Sequence, residues 1–213
     1  MIAQFIDGPL WYFSSIVFVL GVLYRIFLII KAGVKPDLAV PRQNGTFGAV
    51  RTMFSRFVPR RDIAKRGRLQ VFAGYMFHLG LFVLLFFAKP HVDFFAERVT
   101  GVGWTPVPYW AFIVSAELAF AGLLLLWLYR LMHPVTRLLS STGDHVGTGL
   151  VFLVMLSGCL ALAHSFEALR LTHLLLAEIL LIYFPFSNLM HAFTFVFSRG
   201  FTGALMARKG INA

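Results

Sequence analysis

Five apolar runs divide this chain, at about residues 9–30, 69–88, 110–129, 147–164 and 171–197. A helix rises 1.5 Å per residue, so about 20 residues cross the ~30 Å hydrocarbon core of a bilayer. None of the runs alternates apolar and polar positions as a membrane barrel strand does, and helices are therefore the expected spanning element. The pattern gives an all-α architecture, an integral membrane five-helix bundle forming a single domain over residues 1–213. No internal repeat, low-complexity tract or second domain interrupts it.

Composition supports the same picture. Residues are 59% hydrophobic and only 13% charged, against roughly a quarter charged in soluble domains. Trp11 and Tyr12 fit interfacial positions of the first run. No basic residue precedes that run, and the first is Arg25 at its far end, so it reads as a retained span and not as a cleaved signal. The single cysteine, Cys159, supplies neither a disulfide nor a CxxCH haem attachment, and cysteine-ligated iron–sulfur clusters are excluded on the same ground. A redox centre on this chain would hang on histidine, or on methionine.

Charge then sets direction. The loop 31–68 holds ten lysines and arginines, opposed by Asp37 and Asp62. With five spans, the sides reached by the first loop, third loop and C-terminus carry fifteen basic residues, and the opposite side carries three. The positive-inside rule places the N-terminus outside and the C-terminus in the cytoplasm. The net charge of +10 is thereby read as a topology signal with contact to anionic lipid headgroups, not as a nucleic-acid footprint. Docking of a cytoplasmic partner on the basic loop is compatible with it.

Histidines are the candidate chemistry. His173 and His191 lie 18 residues apart in the last run; in one unbroken helix that is five turns, one face, and about 27 Å of axial separation. His78 lies about nine residues into the second run, at the inner depth expected for His191. One imidazole from each of two antiparallel helices is the arrangement a haem iron takes, and two such sites make a small membrane cytochrome b. Gly74 and Gly80 flank His78 in AGYMFHLG; they leave room for a porphyrin or serve close helix packing. For the outer site His173 needs a partner, and the candidates are His91, which follows Lys89 and Pro90, and His164. A helix–helix hydrogen bond is the plain alternative for His78 and His191, and solvation at the interface for His173. His133 and His145 fall in the third loop and read as surface residues. Glu117 and Glu178 lie inside apolar runs, where an acid either handles quinone protons or pairs with a nearby donor. Met155, Met190 and Cys159 read as packing residues.

The segment LRLTHLLLAEILLIYFPFSNLMH, together with YMFHLG and SSTGDHVGTGLVFLVMLSGCLAL, resembles the gamma (cytochrome b) subunit of respiratory nitrate reductases. That family also includes the cytochrome b subunits of heterodisulfide-reductase-like and dissimilatory-sulfite-reductase-associated complexes. The resemblance covers spans two, four and five. It implies two b haems, the inner on His78 and His191, the outer on His173 and a second histidine in span two. The family places that histidine ten residues after His78, where this chain has Ala88; either His91 substitutes or the outer haem is missing.

The expected function is a haem b subunit of a respiratory redox complex in a prokaryotic inner membrane. It would pass electrons between quinone or quinol, as substrate, and an iron–sulfur subunit on the cytoplasmic face. The alternatives are a single-haem structural anchor and a proton-coupled transporter; the latter calls for inverted repeats or broken helices, which the sequence does not display. The charge asymmetry carries its own test. Alkaline phosphatase fused after the C-terminus should be inactive, and fused near residue 100 it should be active; the reverse would overturn the orientation.

Overall fold

The structure, a computed structural model, describes residues 1–33, 40–164 and 166–211. Residues 34–39 of the basic loop, with Lys35 and Asp37, lie outside the described residues, as do Ser165 and residues 212–213. The described residues form helices and connecting turns, with no strand among them. Among the described residues five helices are long and apolar enough to cross a membrane: Ile2–Ala32, Arg68–Phe87, Tyr109–Met132, Thr142–Ala163 and Glu167–Phe186. The longer helices are α1 (Trp11–Ala32), α2 (Gly45–Ser55), α3 (Arg68–Phe87), α4 (Lys89–Phe95), α5 (Tyr109–Met132), α6 (Thr142–Ala163), α7 (Glu167–Tyr183) and α8 (His191–Arg208).

Spans two to four follow the apolar runs closely; the first and last differ for reasons of backbone chemistry. Ahead of α1 the chain is already helical from Ile2, with a wide π-turn over Ile6–Leu10 that contains Pro9. Proline has no N–H and crowds the carbonyl four residues back, and a π-turn absorbs that misfit without ending the helix. The last run is not one helix. After Tyr183 it tightens into short 3₁₀ turns, Phe184–Phe186 and Asn188–Met190, with Ser187 extended between them. Pro185 drives the break by the same chemistry, and Ser187 stabilises it, its hydroxyl donating to the Phe184 carbonyl and accepting from the Leu189 N–H. The single helix expected over 171–197 is therefore corrected. A broken helix exists, at the end of the fifth candidate span and not at its middle.

The chain divides into two compact units, residues 65–173 and residues 1–64 with 174–213. In the first, α3 and α5 pack along most of their lengths through Ala73, Gly80, Ala116, Ala119 and Gly122, all buried. A Cβ at Gly122 would come 2.6 Å from the Ala73 carbonyl oxygen, and one at Gly80 would come 2.8 Å from the Ala119 nitrogen. Small residues admit backbones this close, and dispersion across the seam replaces the hydrophobic drive that lipid removes. Helix α6 begins on a capping box, the Ser141 hydroxyl accepting from the Asp144 N–H while the Asp144 carboxylate accepts from the Ser141 N–H.

In the second unit, α2 of the basic loop packs on α8. A Cβ on Gly48 would strike the Gly203 carbonyl at 2.5 Å. Arg199 fixes the same contact: its guanidinium lies 4.6 Å from the Phe57 ring centre and 5.1 Å from that of Phe195, and donates to the Met53 carbonyl at 3.3 Å. Pro185 buries itself against Gly21, where an added Cβ would come within 2.6 Å of the proline ring. Part of the basic loop is thus an ordered helix held to the C-terminal helix.

Seam geometry gives a stability test. Gly122→Leu overpacks the α3–α5 contact and should cost about 1–3 kcal/mol, read as a lower Tm in detergent. Gly149→Ala, where a Cβ meets only Trp127 at an ordinary 3.5 Å, should not lower Tm; equal effects of the two would contradict this packing.

Candidate functional site

The end of α3 explains the placement of His91. A helix C-terminus leaves carbonyls without intrahelical partners, and here the following chain supplies them. Ala88 turns extended, α4 starts with Pro90 in its first turn, and His91 folds back so that its Nδ1–H donates to the Leu84 carbonyl at 2.8 Å. Trp104 Nε1–H donates to the Phe86 carbonyl at 2.7 Å and the Val107 N–H to Phe87 at 3.0 Å. The turn at Ala88 therefore carries His91 back over the last turn of α3, although it lies 13 residues beyond His78 in sequence.

There it meets His173. The two imidazole centres are 6.0 Å apart with planes 25° from parallel. His173 is held from α6: its Nδ1 lies 3.1 Å from the Val154 carbonyl and 3.2 Å from Ser157 Oγ, and Ser157 donates its own O–H to Val154 at 3.0 Å. The ring lies against Gly158, where a Cβ would come 2.9 Å from Cε1. Three segments fix this pair of rings, and all of it lies within residues 65–173.

The chemistry of the donor set follows from the hydrogen bonds. A carbonyl oxygen only accepts, so Nδ1 of each ring carries the proton and Nε2 carries the lone pair. Fixing one ring nitrogen to orient the other is how proteins prepare a histidine for a metal. Metal–nitrogen bonds of about 2 Å, with about 1 Å from nitrogen to ring centre on each side, put two axial imidazole centres about 6 Å apart. That is the separation of His91 and His173. Among the described residues no three His, Cys, Asp or Glu side chains converge to hold a metal ion. The residues present fit a metal that brings its own equatorial ligands, as haem iron does.

His78 and His191 have the same local signature in separate units. His78 Nδ1–H donates to the Gly74 carbonyl at 2.7 Å, and its ring is flanked by Phe77 and Phe82. Gly74 lies one turn earlier on the same face and opens onto free space, which is the room a planar ligand beside His78 needs. Gly80, in contrast, is a packing glycine against α5. His191 is exposed and begins α8, its Nδ1–H donating to the Asn188 carbonyl at 2.8 Å. Because of the break at Pro185, the shared-face argument linking His173 and His191 no longer applies.

The remaining histidines differ. His145 Nδ1 accepts from Trp127 Nε1–H at 3.2 Å, the opposite proton placement, and His145 is half-buried, not a surface residue. His133 is also half-buried, stacked on Tyr129 at 4.8 Å. His164 is exposed and stacks on Phe166 at 6.1 Å. The sequence reading passed over Ser157 and Gly158 entirely; the dipeptide inside an apolar run was the available signal, a hydroxyl and a gap side by side. Glu117 is exposed, whereas Glu178 is only 3% exposed. Met155 and Met190 are buried.

No protein-family model matches the chain. It is 28% identical over 96% of its length to a protein of Nitratidesulfovibrio vulgaris whose name describes no activity, covering 93% of that protein. It is 26% identical over 94% of its length to a protein of Archaeoglobus fulgidus, covering 80% of it, that is named an Hdr-like menaquinol oxidoreductase cytochrome b-like subunit. The chain is thus similar over nearly its whole length to a protein named as a menaquinol oxidoreductase subunit.

Proposed function

We propose that this chain is a haem b-carrying membrane subunit of a quinol-linked redox complex, passing electrons between menaquinol and a cytoplasmic iron–sulfur partner. The observation that carries the reading is the His91–His173 pair, two imidazoles with centres 6.0 Å apart and planes 25° from parallel, each with its Nδ1 at a backbone carbonyl. Support for the substrate class comes from the name of the Archaeoglobus relative, a menaquinol oxidoreductase subunit. His78 and His191 are assigned to a second haem on their shared hydrogen-bond signature.

Bound haem supplies one-electron redox chemistry. The chain's own residues do the rest. Leu84 and Val154 hold the Nδ1 protons of His91 and His173, which keeps both rings in one tautomer and makes Nε2 the better donor. Ser157 adds a second acceptor to His173, and Gly158 leaves space for its ring. Gly74 leaves the His78 face open. Menaquinol oxidation releases two electrons and two protons; the electrons need ligand pairs spaced through the membrane, and the protons need a titratable group within it. Arg51, Arg56, Arg60 and Arg61 make the basic loop a fitting dock for an acidic face of the partner.

A haem-to-protein ratio separates the alternatives. Purified protein should carry two haems per chain by pyridine haemochrome. His91→Ala and His173→Ala should each leave one, and His78→Ala should remove the other; His164→Ala should keep both. Protein without haem would end this reading, and one haem per chain with His91→Ala silent would leave the single-haem anchor. Val154 acts through its backbone, so Ser157→Ala is the informative neighbour: it should retain haem while shifting the potential of the His173 site.

A further inference from the structure

Glu178 stands out among the groups that the haem sites leave unused. It lies mid-way through α7 at 3% exposure, and its Oε2 has no hydrogen-bond partner among the described residues. An ionisable side chain inside a span is costly, and it is retained where function uses it. The covering is protein, not only lipid, because the same unit packs α1 beside this part of the chain. Three interactions are ordered along the two segments: Asp7 lies within electrostatic range of Glu178, Phe18 packs on Phe184 at 5.3 Å, and Pro185 lies on Gly21. Residue numbers rise together, so the segments run parallel, and Ser14 and Ser15 fall between the first and second of these interactions.

Both serines are unusual for an apolar helix. Ser14 is fully buried and donates to the Trp11 carbonyl at 3.0 Å. Ser15 Oγ is buried without a hydrogen-bond partner among the described residues. A buried polar atom left without a partner costs about 1–3 kcal/mol, and Ser15 Oγ and Glu178 Oε2 are two such atoms in one unit. Asp7 is the titratable group whose charge reaches Glu178, and it lies at the N-terminal end of the first candidate span, four residues before Trp11. Glu178, Ser15 and Asp7 are thus polar groups of one unit within otherwise apolar segments.

We propose that Glu178 is the membrane-embedded proton acceptor of the quinol reaction, handing its proton to the aqueous phase by way of Asp7. The inference rests on the quinol reading above. Quinol loses two electrons to the oxidised haem sites and two protons. Glu178 as carboxylate takes the two protons one after the other, becoming neutral each time, and is reset after each when Asp7 carries that proton to water. Glu178 is five residues past His173 in an unbroken helix, about 7.5 Å along its axis, so electron and proton acceptors share one structural element.

Full-length protein, purified in detergent, tests this with Glu178→Gln, Glu178→Asp and Asp7→Asn. Glu178→Gln keeps shape and hydrogen-bonding capacity but cannot take up a proton. It should retain the haem content and spectrum of the wild type, lose about 100-fold in oxidation rate with a short-chain menaquinol analogue, and lack one protonated-carboxyl band in infrared difference spectra taken across a pH step. Glu178→Asp should restore part of the rate and the band, and Asp7→Asn should slow the rate less. Glu178→Gln oxidising the analogue within threefold of wild type would overturn the proposal and leave Glu178 a structural pin. A Glu178 band that does not respond to pH would overturn it too. Wild type without haem or quinol oxidation would instead sink the quinol reading, and the infrared band then decides alone whether Glu178 exchanges protons.

Discussion

The proposed haem sites depend on where four imidazole protons are placed. His78, His91, His173 and His191 each direct Nδ1 at a backbone carbonyl, of Gly74, Leu84, Val154 and Asn188. A carbonyl cannot donate, so each ring is committed to one tautomer with its lone pair on Nε2. His145 shows that this is a property of position and not of histidine in general, since its Nδ1 accepts from Trp127. The backbone thus serves as the outer shell that orients each candidate ligand. His91 meets two needs with one bond, closing an open carbonyl at the end of α3 and fixing its own ring.

Close packing is what holds those carbonyls in position. Gly80 and Gly122 bring α3 and α5 together backbone to backbone, and α3 carries both the Gly74 carbonyl and the Leu84 carbonyl. Gly158 performs a related service for His173 by giving its ring a flat surface on α6. Glycine therefore has three uses here: contact at Gly80 and Gly122, a seat at Gly158, and open space at Gly74.

Hydropathy alone made the five spans legible, because length and apolarity are set by the bilayer and not by neighbours. Interruptions within them were not legible in that way. The FPFS run looked like part of a continuous apolar segment, yet Pro185 and the extended Ser187 end the helix. Conversely, Pro9 did not end the first helix, because a π-turn absorbs it. His91 was legible as a candidate partner of His173 but its placement was not, since residue spacing measures position only within an unbroken helix. The Ala88 turn resets the count. Ser157, Gly158 and the burial of Glu178 depend on which helix faces which, information that one sequence with a low contrast between its helix faces does not carry.

Ring geometry allows the central claim to be tested directly. Two near-parallel imidazoles on one ferric iron produce a rhombic low-spin electron paramagnetic resonance signal, whereas perpendicular ones broaden it toward a single large-g feature. With 25° between the His91 and His173 planes, oxidised purified protein should show a rhombic low-spin signal, and His173→Ala should remove that component while leaving any signal of a haem on His78 and His191. A spectrum with no low-spin haem signal, or a rhombic signal that survives His173→Ala unchanged, would contradict the assignment of this pair to one iron.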